Sequence, residues 1–279
     1  MCLIAWRWQP EAAVPLIVAA NRDEAWDRPT LPLQRWRLDG GPEVLSGRDA
    51  RAGGAWLAWG EHGRLAMLTN VRAWPPEPAA PRSRGELVAG WLRDAARSHD
   101  WPTWLSAHPA TAYNGCNLVL ADLCQGVWVW LTNRDPTLLD PRVQADRQDG
   151  WWWRPLSPGV HALSNAALDT PWPKATMLAD GVGAALAEPD PDRREARLLA
   201  VLRTHVADPD PVQHLQRSPW VWWPERRYGT RSSLVAQLDR NGTLRVAEWT
   251  YDPEAGPAGI PSAEVRRSSM VWCGMPTSS

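Results

Sequence analysis

Short apolar runs recur along the chain in pairs, each pair separated by turn-forming residues. Leu3-Ile4-Ala5-Trp6 and Leu16-Ile17-Val18-Ala19 flank the polar, proline-containing segment Gln9-Pro10-Glu11-Ala12-Ala13, the pattern of two strands joined by a loop. A turn centred between Glu11 and Ala12 predicts an antiparallel register in which paired residue numbers sum to about 23. That register sets Cys2 opposite Asn21 and close to Asp23. A second pair, residues 55–59 and 65–70, is joined by Gly60-Glu61-His62-Gly63. Residues 117–121 and 127–131 form a third. The last, residues 232–238 and 243–249, is joined by Asp239-Arg240-Asn241-Gly242, in which Asn-Gly is a strong turn signal. Trp151-Trp152-Trp153 reads as a strand leading towards Gly159-Val160-His161-Ala162-Leu163-Ser164-Asn165.

Helical spacing appears elsewhere. Ser83 and Glu86 make a capping box ahead of Leu87, Val88, Trp91, Leu92 and Ala95. Pro171-Trp172-Pro173-Lys174 starts a second helix, with proline in its tolerated first turn. A third is predicted over about residues 192–206. Residues 27–43 are proline-rich and read as irregular. Residues 252–279, rich in Pro, Gly and Ser, read as a weakly ordered tail, leaving residues 1–251 as a single domain. Hairpins with helices grouped between them predict an α+β protein with mainly antiparallel sheets.

Composition changes this picture in several ways. The 279 residues are enough to bury roughly 75% of the unfolded surface. With 30 basic and 31 acidic residues the net charge is −1, which gives no electrostatic case for nucleic acid or an anionic membrane. The early apolar run, residues 12–20, is too short to span a bilayer and has no basic region before it, so neither membrane insertion nor a signal peptide is expected. The cysteines, Cys2, Cys116, Cys124 and Cys273, show no C-x-x-C and no zinc spacing, and a reduced, cytoplasmic protein is the expectation. Usage is also lopsided: one lysine, Lys174, among 29 arginines, and 21 Trp with no Phe. Tryptophan stands where phenylalanine would normally pack, as at Trp91, Trp128 and Trp130, so most tryptophans are read as core filler.

The chemistry gathers at Cys2. Removal of Met1 would expose an α-amine, with a reference pKa of about 7.7–8.0, beside a thiol of about 8.5. One residue would then supply both nucleophile and general base. Asp23 would hold the amine and favour its protonated form. By position alone, a cysteine at this place packs as a small hydrophobe. The Asn21-Arg22-Asp23-Glu24 cluster across the hairpin tips the balance towards chemistry. Asn165, at a Ser-Asn turn, offers an amide to an oxyanion or else forms an Asx-turn. Arg231 could clamp a carboxylate, steady Asp23 or pair on the surface. Lys174 stands out as a compact point charge in a chain that otherwise uses arginine. His161 could orient a substrate or ligate haem iron, or be structural. The basic run Arg193-Arg194-Glu195-Ala196-Arg197 reads as a solvated helix face. No G-x-S-x-G, H-E-x-x-H, G-x-G-x-x-G or P-loop pattern is present in a fitting context.

Several motifs run in order along the chain: Met1-Cys2-Leu3-Ile4, Asn21-Arg22-Asp23-Glu24, Gly47-Arg48-Asp49, Gly53-Gly54-Ala55-Trp56-Leu57 and Thr69-Asn70-Val71-Arg72. Ser83-Arg84-Gly85-Glu86-Leu87, Leu163-Ser164-Asn165, Asp169-Thr170-Pro171-Trp172-Pro173-Lys174 and Tyr228-Gly229-Thr230-Arg231-Ser232-Ser233 follow. Together they resemble the NRDE family, that of transport and Golgi organisation protein 2. The resemblance implies the fold of N-terminal-nucleophile hydrolases, a four-layer αββα sandwich. By similarity with choloylglycine-type cysteine hydrolases, Cys2 matches the nucleophile, Asp23 the amine-binding residue, Asn165 the oxyanion-hole residue and Arg231 the late active-site arginine. Asn21, Arg22, Asn70, Arg72 and Lys174 are taken as substrate-binding candidates. Ala20 stands where those hydrolases usually carry arginine. Two readings follow. One is Cys2-dependent hydrolysis of an amide or (thio)ester through an acyl-enzyme, requiring no cofactor. The other, from relatives linked to haem trafficking and lipid homeostasis, is a binding protein holding haem or an acyl chain, with Cys2 or His161 as a possible ligand.

Overall fold

The computed structural model describes residues 2–71, 78, 80–94, 100–252 and 264–272. In chain order it opens with β1 (Cys2–Trp8), β2 (Leu16–Ala25), β3 (Thr30–Arg37), β4 (Glu43–Asp49), β5 (Leu57–Trp59) and β6 (Arg64–Asn70). Helices α1 (Gly85–Arg93) and α2 (Trp101–Ser106) precede β7 (Cys116–Asp122), β8 (Val127–Thr132), β9 (Asp146–Gln148), β10 (Trp151–Pro155) and β11 (Gly159–Leu163). The rest comprises α3 (Pro173–Ala184), α4 (Pro191–Leu202), α5 (Pro211–Arg217), β12 (Trp222–Trp223), β13 (Tyr228–Leu238), β14 (Thr243–Thr250) and β15 (Glu264–Val271).

The chain forms two compact units. The first comprises Met1–Pro29, Pro158–Ser164 and Asp169–Met270; the second Thr30–Ser157, Asn165–Leu168 and Val271–Ser279. The first is built on a sheet of order β11-β1-β2-β13-β14-β15, with β12 added beside β13. On one face, Leu3, Ala5, Ile17, Ala19, Ala162 and Val235 meet Leu178 and Val182 of α3 and Leu198 and Leu202 of α4. These are alternate positions along each strand, as a half-helix-covered sheet requires. The second unit carries the sheet β3-β4-β5-β6-β7-β8-β10-β9. Its Ala66, Leu68, Leu118, Leu120, Val129 and Leu131 pack against Leu87, Val88 and Trp91 of α1 and Trp104 and Leu105 of α2.

The predicted hairpins are all present, and four sequence expectations are corrected. Residues 27–43, read as irregular, contain β3, which pairs with β4 from Thr30↔Asp49 to Arg37↔Glu43. The proposed tail contains β15, an edge strand of the first unit's sheet. Arg194 is not on a solvated face. It is buried, donates to the Gln237 side chain at 2.6 Å, and reaches the Ala185 and Glu188 carbonyls. The first hairpin has a different register, taken up below. The capping box forms in part: the Glu86 carboxylate accepts from the Ser83 backbone N–H at 3.3 Å, while Ser83 Oγ accepts from Gly85. Tryptophans behave as core residues, with Trp6, Trp59, Trp91, Trp130 and Trp151 fully buried. Arg72, Ala95 and Cys273 lie outside the described residues. Among the described residues no helix is long and apolar enough to cross a membrane.

Candidate active site

The β1–β2 pairing runs Cys2↔Arg22, Leu3↔Asn21, Ile4↔Ala20. This is one residue away from the register the sequence predicts, because the loop is centred on Ala12, held by Gln9 N–H donating to Pro15 O and Ala12 N–H to Gln9 O. A one-residue slip exchanges the faces of every side chain. Asn21 therefore stands on the helix-covered face. There its amide donates to Leu202 O at 2.8 Å and Pro219 O at 2.9 Å, and its oxygen accepts from Ser233 Oγ at 2.6 Å. Those contacts tie α4 to the sheet, and Asn21 does not share the Cys2 face. Arg22 takes that place. Since Arg22 also pairs with Ser232, the residues Cys2, Arg22 and Ser232 form one row across β1, β2 and β13. Glu24 lies 3.7 Å from the Arg22 guanidinium.

Asp23 is buried and joins the row from the next position. A bulge at Arg231 lets β13 change register, so that Thr230 rather than Arg231 pairs with Asp23. Thr230 Oγ1 donates to Asp23 Oδ1 at 2.7 Å and accepts from the Val221 N–H at 2.9 Å. With the second bond fixing the hydroxyl as acceptor from the backbone, its one hydrogen is directed at Asp23. Gly229 makes this possible: a Cβ there would lie 2.6 Å from Val221 O, so only glycine lets the segment before β12 close over Thr230. The Tyr228 hydroxyl holds the Asp23 carbonyl at 2.8 Å. None of Thr230, Tyr228 and Gly229 was singled out from sequence. The Gly-Thr-Arg motif flags the segment, but which member meets Asp23 depends on the bulge.

Burial pushes Asp23 up to about 6, with the charge of Lys174 and the Thr230 hydrogen bond pulling the other way. Lys174 is fully buried in the first turn of α3, and its charge acts on Asp23. Burial also pushes the Cys2 thiol up, and Asp23 adds to this, while Arg22 and a hydrogen bond from the Asp23 backbone lower it. The Cys2 carbonyl accepts from Ser164 Oγ at 3.0 Å, anchoring the first residue of β1 to the end of β11.

Arg231, His161 and Asn165 each have partners of their own. Arg231 donates through one nitrogen to the carbonyls of Ala25 at 3.0 Å, Trp26 at 2.8 Å and Arg28 at 3.4 Å, bracing the chain as it leaves β2. It does not hold the Asp23 carboxylate. His161 pairs with Trp6 across β1 and β11, its Nδ1 lying 3.0 Å from Asp169. In the second unit, the Asn165 amide donates to Asn70 O at 2.7 Å and Oδ1 at 2.9 Å, and Asn117 holds the neighbouring Ala166 carbonyl. Among the described residues no group of three His, Cys, Asp or Glu side chains is arranged to hold a metal.

Comparison with known proteins bears on both fold and family. A conjugated bile acid hydrolase from Clostridium perfringens, solved as its C2A mutant, superposes with a TM-score of 0.53 over 96% of each chain at 9% identity. This shows the fold, α+β of the N-terminal-nucleophile hydrolase type with mostly antiparallel sheets. The transport and Golgi organization 2 homolog of Mus musculus is 33% identical over 273 residues, 89% of this chain and 92% of the relative. The Bos taurus homolog is 34% identical over 275 residues, with the same coverage of each chain. The Drosophila melanogaster protein is 24% identical over 259 residues, 84% of this chain and 86% of the relative. The family model for transport and Golgi organisation 2 matches residues 1–253, and the chain belongs to that family.

Proposed function

We propose that this protein is a Cys2-dependent hydrolase of an amide or thioester bond, working through an acyl-enzyme after loss of Met1. The observation that carries the reading is the coupling of Cys2 to Asp23. The Asp23 backbone bonds the thiol, and its buried carboxylate is aimed by Thr230 and balanced by Lys174. Burial disfavours the thiolate, so the thiol needs a local base when it reacts, and the α-amine of a processed Cys2 is that base. The thiol proton passes to the amine as Sγ bonds the carbonyl carbon, and the carbonyl π electrons move to oxygen. Collapse breaks the bond to the leaving amine or thiol, which takes the proton from the ammonium. Water then attacks the thioester, giving its proton to the amine, and the S–C bond breaks to release the acid as Sγ takes the proton back from the ammonium.

Ionised Asp23 favours the ammonium in both halves of this cycle. Asn165 enters as oxyanion donor by resemblance. The fold shared with a conjugated bile acid hydrolase, itself studied as a C2A mutant, supports the reaction class without specifying a substrate. The test begins with the intact mass and N-terminal peptide map of untagged protein. Loss of Met1, followed by an acyl adduct of Cys2 on exposure to an amide and thioester panel and its absence in Cys2→Ala, supports the proposal. Retained Met1, or turnover unaffected by Cys2→Ala, overturns it and makes haem and acyl-CoA titration the next measurement.

A further inference from the structure

Three motif segments that the nucleophile does not use meet in the second unit. Arg48 of Gly47-Arg48-Asp49, the pair Gly53-Gly54, and Gly85-Glu86 at the start of α1 line one cavity of about 320 Å³. Its charged groups are organised. The Arg48 guanidinium stacks 4.4 Å from the Trp36 ring centre and donates through Nε to Gly53 O at 3.0 Å, which fixes its plane and leaves its terminal nitrogens as a preset fork. Arg82 and Glu86 neutralise each other at 2.9 Å. Arg93, Asp39 and Asp94 also line the cavity and make no ion pair among the described residues.

The cavity also contains His108, which is 7% exposed. Its ring stacks on Trp104 at 4.1 Å and its Nδ1 lies 2.8 Å from the Trp104 carbonyl. A carbonyl can only accept, so Nδ1 carries the hydrogen and Nε2 presents a lone pair. Nε2 has no hydrogen-bond partner among the described residues. It lies over Gly90, where a Cβ would come within 3.2 Å of it. Burial lowers the His108 pKa, keeping the ring neutral near pH 7, and the charge of Asp94 reaches it. An unpartnered acceptor on a buried ring, opening into a cavity, is available to a ligand donor.

Three arginines and three carboxylates line the cavity, so its formal charge cancels, which does not favour a polyanion. We propose that this cavity binds a small zwitterion of the α-amino acid class, with its carboxylate on the Arg48 fork and its ammonium between His108 Nε2 and Asp94. The site is independent of the Cys2 reading.

Isothermal titration of the full chain at pH 7 with each of the common amino acids tests it, with acetate, methylammonium and inorganic phosphate as controls that carry charge of one sign only. The expected result is saturable one-to-one binding of at least one amino acid, with neither acetate nor methylammonium binding comparably. Arg48→Met and Asp94→Asn should each weaken it by about tenfold or more, and Cys2→Ala should leave it unchanged. The Asp94 side chain is only half-buried and makes no hydrogen bond or ion pair among the described residues, so Asp94→Asn remains informative if Arg48→Met fails to fold. No amino-acid binding up to about 10 mM, binding of phosphate alone, or amino-acid binding indifferent to Asp94→Asn would overturn the assignment.

Discussion

Two buried carboxylates, one in each unit, are held in contrasting ways. Asp122 sits at the end of β7 and accepts from Arg64 Nε at 3.3 Å and from the Gln125 N–H at 3.1 Å. Its arginine is itself fully held, donating to Trp91 O at 2.9 Å with the guanidinium 4.1 Å from the Trp91 ring centre. Asp23 is held differently. A hydroxyl holds one oxygen, a lysine acts on it as a charge, and burial leaves it near 6. The first arrangement holds strand to helix. The second keeps a charge that is costly to bury, which is what a group acting on a proton-transfer partner requires.

Asp23→Asn should separate the two most sharply. It should slow Cys2 chemistry, read as iodoacetamide alkylation of the processed protein near pH 7, by about 10²-fold or more. It should leave the fold as stable or up to roughly 3 kcal/mol more stable at pH 7, by linkage. The sign follows from Asp23 being raised in the folded state. Its contribution to stability is fully present below about 3.8 and is lost as pH rises through about 6. Across that same window the alkylation rate should rise, so stability and reactivity slope in opposite directions. A reactivity profile flat from pH 5 to 7 would break the link between Asp23 and Cys2.

Arg64→Met should do the reverse in the second unit, costing about 3–5 kcal/mol in urea unfolding because Asp122 is left buried without its partner, while Cys2 alkylation is unchanged. Thr230→Val should cost about 1–3 kcal/mol, since the Val221 N–H loses its acceptor. It should also raise the Asp23 pKa further, moving the acid limb of the alkylation profile upward. Thr230→Ser should restore that limb, which a general packing defect would not do. The smallest effect is expected at Trp59→Phe. The Trp59 indole N–H is buried with no hydrogen-bond partner among the described residues. Loss of that unsatisfied donor offsets the volume removed, and the change in unfolding free energy should stay within about 1 kcal/mol.

Much of this fold was legible because its elements are local. The β5–β6, β7–β8 and β13–β14 hairpins carry their own turn signals, and α3 and α4 each have proline in their first turn. The misses share a cause. β3 looked irregular because Pro29 and Pro32 break the usual strand composition, yet β3 is an edge strand, where proline is tolerated. β15 carries Glu264, Arg266 and Arg267, charges of the kind edge strands often bear. Arg194 looked solvated because its acceptors, Gln237 and the Ala185 and Glu188 carbonyls, lie on other elements.

At the candidate site the residues alone determined that Cys2, Asn21, Arg22 and Asp23 come together, because a hairpin of that loop length admits few registers. Tertiary structure decided which of them share a face. Side chains alternate with a period of two, so a loop centre displaced by half a residue moved Asn21 from the Cys2 side to α4 and brought Arg22 to the thiol. The bulge at Arg231 made the second such choice, placing the Thr230 hydroxyl on Asp23 and turning Arg231 to the chain beyond β2. The sequence specifies which groups are available near Cys2. Their orientation follows from a ladder formed with residues two hundred positions away.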